Sequence, residues 1–153
     1  MKMLLLFSVL NLIFNFAGAQ SLSDKEEVKN VIVAFQDDFN EGAFRNAHSY
    51  STVDWVHINP GGGITKGREE VLMEVQEVHQ RILKGVTMTI DRMDIRFVAP
   101  TVAVAVVIHL ISPFELPIGV LNENQRNTKT YIIVKQNDKW LLAHDHNTVV
   151  QDN

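Results

Sequence analysis

The segment 54–68, DWVHINPGGGITKGR, carries the features that decide the fold. Residues 53–59 are rich in β-branched and aromatic side chains and stop at Pro60, which predicts a short strand. The glycines at 61–63 predict a loop, and a long helical pattern begins at 67–68. The segment therefore predicts a strand, a turn and a helix in succession, with the rest of the chain packed around them.

The strand of this segment presents a mixed aromatic and polar face. Alternate residues of a strand share a face, so Trp55, His57 and Asn59 are predicted to point the same way. A tryptophan beside a histidine and an asparagine suits a pocket that stacks an apolar ligand and holds it with a few polar groups. The alternative is a half-buried strand with a polar outer face.

Helical patterns lie on both sides of this strand. Residues 23–26 have the Ser-x-x-Glu spacing of a capping box, and an apolar stripe continues from there until Gly42. A shorter helix is predicted over 43–50. The third helix ends before Gly85, and the only polar member of its apolar face is His79.

The remainder of the chain predicts β-structure. Strands are expected over 87–98, 101–111, 131–135 and 140–148. Residues 112–125 are predicted to form a long loop or lid. Helices followed by a run of strands predict an α+β fold, in which a curved antiparallel sheet wraps around three N-terminal helices.

Residues 1–19 have the pattern of a cleaved signal peptide. Lys2 precedes an apolar run over 4–17, and a small-x-small site stands before Gln20. The competing interpretation is a membrane anchor, but the run is shorter than the roughly 20 residues that a spanning helix needs. The protein is thus expected to be secreted or periplasmic, with residues 20–153 as one domain that has no membrane contact after cleavage.

Composition and the absence of known motifs exclude several classes of partner and chemistry. A formal net charge of −4 gives none of the basic surface that nucleic acid requires, so no nucleic-acid partner is expected. The absence of cysteine excludes a disulfide framework and a thiol nucleophile. The glycine loop lacks the Gly-Lys-Ser/Thr ending of a P-loop and the spaced glycines of a Rossmann fold, so no cofactor is predicted.

The order of these elements resembles the nuclear transport factor 2-like superfamily, also called the cystatin-like cone. Within it the chain resembles the SnoaL-like group and its SgcJ/EcaC branch. The resemblance spans nearly the whole chain after residue 19, and it is carried by Phe39–Gly42, Asp54–Ile58, Gly67–Val71, Asp138–Trp140 and His146–Thr148. It implies a pocket at the wide end of the cone and a homodimer formed through the outer sheet face. The superfamily includes isomerases, dehydratases, cyclases and binding domains without chemistry, so the fold does not fix the function.

Histidines are the candidate reactive groups of that pocket, because histidine titrates near neutrality and can move a proton on a carbonyl compound or an epoxide. His57 and His146 are predicted as catalytic, since His146 belongs to the end of the family pattern. On a regular last strand His144 and His146 would share a face, and Asp145 would point away from both. The predicted ligand-binding residues are Trp55, Asn59, His79, His109, His144 and Asn147. The alternatives are an exposed polar strand end for His144 and His146, and core positions with a hydrogen-bond partner for His79 and His109.

Two expected features are missing from the pattern. The resemblance implies a pocket aspartate as the base of the isomerases and cyclases, but Asp54 has the wrong strand parity for that role. No acidic residue clearly completes a metal site with the histidines, so no metal is predicted.

Two hypotheses of function remain open. The first is a secreted domain that binds a small, largely apolar molecule, with or without proton-transfer chemistry by histidine. The second is a non-catalytic, dimeric interaction domain that uses the apolar outer face of the sheet.

Overall fold

The computed structural model describes residues 21–150. The predicted signal peptide therefore lies outside the described residues. The helices are α1 (Leu22–Glu41), α2 (Ala47–Tyr50) and α3 (Arg68–Arg81). The strands are β1 (Ser51–Ile58), β2 (Ile64–Lys66), β3 (Met88–Ala99), β4 (Val102–Ile111), β5 (Phe114–Glu115), β6 (Leu121–Asn122), β7 (Arg126–Gln136) and β8 (Lys139–Val149).

Six of the strands form one sheet in the order β2-β1-β8-β7-β4-β3, against which the helices pack. The predicted α+β architecture is confirmed. The prediction of an antiparallel sheet is wrong at one place, because β1 and β8 pair in parallel. This pairing joins the strand of the opening segment to the end of the chain, and local sequence patterns carry no signal for such a contact.

Helix α1 begins two residues earlier than the predicted capping box. The Ser21 hydroxyl oxygen accepts a hydrogen bond from the Asp24 backbone N–H at 3.0 Å, so Ser21 and not Ser23 is the N-cap. The helix ends as predicted at Gly42, whose positive φ of 69° allows its N–H to bond back to the last turn.

Phe35 of α1 lies at the centre of the core. Its ring makes edge contacts with Trp55 of β1 and Tyr131 of β7, in both cases with ring centroids 6.0 Å apart. These contacts fix the distance between α1 and the inner face of the sheet. The space that remains toward one end of the sheet is the cavity described below.

A bulge in β8 reverses the expected parity of its second half. Leu142 pairs with Ile133, but His144 pairs with Ile132, which leaves Ala143 as an extra residue. Asp145 therefore faces the interior with no exposed surface. The prediction that His144 and His146 share the inner face of the last strand is wrong for this reason.

Residues 112–125 form an irregular arm with a small hairpin of β5 and β6. Phe114 is buried, whereas Ile118 at the tip is 97% exposed. Among residues 21–150, no helix is long and apolar enough to cross a membrane.

Candidate functional site

A buried carboxylate, Asp145, is the centre of the candidate site. Trp55 Nε1 donates to its Oδ1 at 2.8 Å, and His57 Nδ1 and Lys129 Nζ each lie 2.8 Å from its Oδ2. The side chains of Asp145, Lys129 and His57 are 0%, 5% and 8% exposed. Three neighbouring strands thus bring one anion, one cation and one imidazole together.

Regular strand geometry places Lys129 in this cluster. Tyr131 and Ile133 are buried on the inner face of β7, and Lys129 is the next residue on that face. Its ammonium group lies 4.3 Å from the centroid of the Phe35 ring, so the charge contacts an aromatic face as well as the carboxylate.

The electrostatics of the cluster keep Asp145 ionised. Burial alone would raise the pKa of its carboxyl group, but the Lys129 ammonium and the hydrogen bond from His57 outweigh burial and hold the pKa below its usual range. One oxygen of this carboxylate has two close cationic or N–H donors, and the other accepts from an indole N–H. The carboxylate therefore has the partners that a buried charge requires.

The ionised carboxylate also fixes the tautomer of His57. A carboxylate can only accept hydrogen bonds, so the proton between His57 and Asp145 belongs to Nδ1. In the neutral ring, Nε2 then carries a lone pair on the side away from Asp145. Lys129 already balances the charge of Asp145, so a neutral His57 leaves the cluster without net charge.

The cluster borders a cavity of about 360 Å³. The helices contribute mainly apolar side chains to the lining, with Phe35, Phe39, Val75 and Val78, and also the polar Glu74 and His79. The sheet side contributes most of the polar groups, beside apolar residues such as Ile111 and Val149. These polar residues are His57, Asn59, Asn127, Lys129 and Asn147.

The amides in the cavity lining differ in whether their polar atoms have hydrogen-bond partners. Asn59 Nδ2 donates to Glu74 at 2.9 Å, which fixes this side chain in the lining. Asn147 stands opposite Lys129 in the β7–β8 register, and its Oδ1 has no hydrogen-bond partner within residues 21–150. An acceptor without a partner beside a cavity is a polar contact available to a ligand.

The structure brings together four of the predicted site residues and separates the others. His57, Asn59, His79 and Asn147 line the cavity. Trp55, predicted to stack on a ligand, is fully buried behind Asp145 and does not line the cavity.

His79 and His109 both contact aromatic rings. The His79 ring lies 4.5 Å from that of Phe39, and burial lowers its pKa. His109 bonds to the Tyr131 hydroxyl at 2.9 Å away from the cavity lining, and burial, with a smaller contribution from Lys129, lowers its pKa to about 3. Both rings are therefore neutral at physiological pH, and His109 is a core residue.

His144 and His146 lie outside the cavity. His144 is half-buried on the outer side of β8, and His146 is exposed. The bulge at Ala143 causes this placement, so the predicted catalytic position of His146 does not reach the site.

Sequence reasoning missed the two charged residues beside His57, which are Lys129 and Asp145. Lys129 could have been found by extending the apolar alternation of Ile133 and Tyr131 by one step. Asp145 could not have been found in this way, because its orientation depends on the bulge.

Within residues 21–150, no group of three His, Asp or Glu side chains converges in a way that could hold a metal ion.

No protein-family model matches this sequence, and no curated protein matches it. Solved structures do match. A protein with a cystatin-like fold from Caulobacter vibrioides is 22% identical, with a TM-score of 0.77 over 83% of this chain and 89% of that one. A candidate dehydratase of the NTF2-like family from Streptomyces avermitilis is 18% identical, with a TM-score of 0.70 over 85% and 98%.

A third similar structure is the association domain of C. elegans CaMKII, which is 14% identical, with a TM-score of 0.62 over 82% of this chain and 95% of that one. These likenesses show the fold. The chain has the cystatin-like, nuclear transport factor 2-like fold, as the sequence predicted. Proteins of this fold include both catalysts and association domains, so the function must be argued from the site.

Proposed function

We propose that this protein binds a small, largely apolar molecule in the cavity and that His57 acts on it as a general base. The proposal also places the chain in the SnoaL-like group of the fold. The observation that carries it is the hydrogen bond from His57 Nδ1 to the buried Asp145 carboxylate. That bond fixes the imidazole and leaves Nε2 as the proton acceptor.

The cavity supports ligand binding by its size and by its mainly apolar lining with a few polar groups. Ligand pockets commonly have volumes of roughly 300–1,000 Å³, mostly apolar with a few placed polar groups. The cavity of about 360 Å³ lies at the small end of this range. The lining supplies apolar contact from both sides, and the sheet side also supplies His57, Lys129 and the amides.

The pairing of His57 with Asp145 supports proton transfer in particular. When the imidazole takes a proton, the resulting cation lies against a carboxylate that is already in place. This arrangement needs no reorganisation at the moment of reaction. General base catalysis by a positioned side chain typically contributes about 10²–10⁴-fold to the rate.

The experiment begins with mass spectrometry of small molecules that co-purify with the native protein, followed by a turnover screen around any compound found. His57→Gln should lower turnover by roughly 10²-fold or more with ligand affinity changed only a few-fold. His146→Gln is the matched control, because His146 is exposed outside the cavity and should leave turnover unchanged.

A loss of turnover in His146→Gln with His57→Gln unaffected would overturn the assignment. Equal turnover in all three proteins would remove the catalytic part and leave a binding protein.

A second candidate function is a homodimeric interaction domain. The outer face of the sheet carries Val104, Val106 and Ile108 on β4 beside Ile132 on β7, and Val106 is 41% exposed. The fold likeness to an association domain supports this candidate.

Val106→Arg should shift a dimer toward monomer in light scattering, whereas Leu22→Arg, at another exposed apolar site, should not. A wild-type monomer would contradict the candidate.

The proposed setting is outside the cytoplasm, with residues 1–19 removed as a signal peptide and no attachment to a membrane afterwards. The apolar run and small-x-small site support this. Sequencing of the N-terminus of the exported protein should begin at Gln20. An N-terminus at Met1 on a membrane-bound protein would contradict it.

A further inference from the structure

One long edge of the main sheet has no neighbouring strand. Strand β3 stands at one end of the strand order, and β2 at the other end has only three residues. Asn40 of α1 closes the start of the β3 edge, since its side chain bonds to the N–H and C=O of Met88 at 2.7 and 3.0 Å. Among residues 21–150, no group bonds to this edge over residues 92–97. Backbone groups are therefore left there for pairing with another strand.

The regular part of β3 lies between two bulges. The register with β4 shifts between Ile90 and Arg92, and it shifts again between Phe97 and Ala99. Residues 92–97 alternate without interruption. This segment can therefore pair with a further strand in a regular register.

Alternate residues of the segment turn their backbone groups to the open edge. Ile111 N–H bonds to the residue before β7, so Ile111 directs its backbone groups toward β7. Every second residue of β4 back to Ala103 does the same, because β4 pairs with β7 without a register shift. The β3 residues opposite them turn away from β4, and these are Met93, Ile95 and Phe97.

The side chains of the segment are sorted onto two faces. Met93, Ile95 and Phe97 pack against the core on the inner face and remain partly exposed. Asp94 and Arg96 are exposed on the outer face and carry opposite charges. An apolar row and a row of alternating charge therefore flank the same edge.

We propose that this edge binds the same edge of a second copy of the chain, antiparallel, about a two-fold axis at Ile95. The contact joins the two six-stranded sheets edge to edge. It goes beyond the ligand binding proposed above and does not depend on His57. It also uses the strand edge rather than the outer face of the sheet, so the two contacts can fail separately.

The charges make this edge complementary to itself. The axis at Ile95 places Asp94 of each copy opposite Arg96 of the other. These positions lie between the hydrogen-bonded pairs, where opposite side chains are closest. Opposite charges stabilise such a cross-strand pair, and like charges destabilise it.

The same charges select the register. An axis at Asp94 or at Arg96 would place that residue opposite its own copy, with like charges in contact. An axis at Met93 would draw the bulge after Ile90 into the pairing. Only the axis at Ile95 keeps the pairing regular and the charges opposite.

Apolar contact on the inner face adds to the fit. The axis places Met93 opposite Phe97 and Ile95 opposite its own copy. A depression of about 190 Å³ adjoins the segment, with Lys25 of α1 and Val106 of β4 in its lining. Side chains of the second copy therefore have room beside the edge.

Edge strands are commonly protected from such pairing by bulges, prolines or charged side chains. In β3 the bulges lie outside residues 92–97, and the strand contains no proline. Its exposed charges alternate in sign from Arg92 through Asp94 to Arg96. Charges in this order attract an antiparallel copy of the strand rather than repel it.

Charge reversal tests the pairing by sedimentation equilibrium. Asp94→Arg and Arg96→Asp each create two repulsive pairs, and each should weaken dimerisation by roughly tenfold or more. An equimolar mixture of the two variants should recover the wild-type affinity, because each arginine of one copy then meets an aspartate of the other. Glu77→Arg is the matched control, since it reverses one member of an exposed ion pair on α3 and should change nothing.

Amide hydrogen exchange, followed by NMR, locates the contact without any substitution. The N–H groups of Met93, Ile95 and Phe97 should exchange roughly tenfold more slowly at high than at low protein concentration. Those of Asp94 and Arg96 already bond to β4 and serve as the internal control, slow at both concentrations.

A wild-type protein that stays monomeric at millimolar concentration would overturn the proposal. A dimer in which exchange at Met93, Ile95 and Phe97 does not depend on concentration would also overturn it, because its contact lies elsewhere. A mixture of the two charge variants that dimerises no better than either alone would contradict the axis at Ile95.

Discussion

Two clusters in this protein are built from the same three residue types, and only one of them borders the cavity. The first consists of Asp145, Lys129 and Trp55, and the second of Asp24, Lys135 and Trp140. In each, the lysine and the indole N–H lie 2.8 Å from the carboxylate. The two lysines come from opposite ends of the inner face of β7, so one strand supplies both clusters.

Burial and the third partner separate them. Asp145 has no exposed surface, and its third partner is His57, which reaches the cavity. The Asp24 side chain is 15% exposed, and its third partner is the N-cap Ser21 of α1. The Asp24 cluster therefore ties the start of a helix to the end of the sheet. The same residue types adjoin the cavity only where an imidazole lies between the carboxylate and the enclosed space.

The largest difference is expected on removing the lysines. Lys129→Met leaves the buried Asp145 carboxylate without its cation, and we expect a loss of about 3–5 kcal/mol in the free energy of unfolding. Lys135→Met should cost clearly less, because water reaches both members of that pair. Urea unfolding of the two variants measures this, and equal losses would show that burial does not distinguish the clusters.

An intermediate difference is expected on removing the indole N–H. Trp55→Phe deletes a hydrogen bond to a buried charge, and we expect a loss of about 2 kcal/mol. Trp140→Phe deletes the matching bond to Asp24, where water can replace the donor, so its loss should be smaller. The midpoints of urea unfolding compare them. A larger loss for Trp140→Phe would contradict the ranking.

The smallest difference is expected in the response to acid and salt. Hydrogen bonds from Lys135, Trp140 and Ser21 hold the pKa of Asp24 below its ordinary value of 3.8. Because the folded-state pKa is lowered, this carboxylate stabilises the protein above that value, and the contribution is lost as the pH falls toward the folded-state pKa. Asp24→Asn should therefore reduce the drop in unfolding free energy between neutral pH and about pH 3.

Salt sharpens this comparison. Added salt of about 1 M shortens the Debye length to about 3 Å and should weaken the contribution of the partly exposed Asp24. The pKa of Asp145 is lowered in the same direction, but its contribution should resist salt because the group is enclosed. A salt effect confined to Asp145→Asn would contradict the assigned burial.

Local patterns predicted the elements of the fold well. Apolar periodicity gave α1 and α3, and the strands expected over 87–98 and 101–111 correspond to β3 and β4. The start of β7 was placed too late, because its first residues are polar side chains that a local pattern assigns to a loop. One of them is Lys129, which faces the interior although it is charged.

Non-local geometry decided the rest of the site. The parity of Asp145 depends on a single extra residue at Ala143, and the sequence around Ala143 contains no glycine or proline that would signal a bulge. One such shift reverses every later side chain of the strand. It moved His146 out of the site and brought in an aspartate, which is the partner that the sequence alone could not supply for His57.

The parallel pairing of β1 with β8 has a consequence for how the protein is made. His57 and Asp145 are 88 residues apart in the chain. At usual rates of synthesis on a ribosome, the strand bearing Asp145 follows that of His57 by on the order of 10 s. During this time His57 has no Asp145 to bind, because the strands between β1 and β8 are still being translated. The cluster around Asp145 is therefore among the last parts of the molecule to be completed, and it forms only after β8 has been translated.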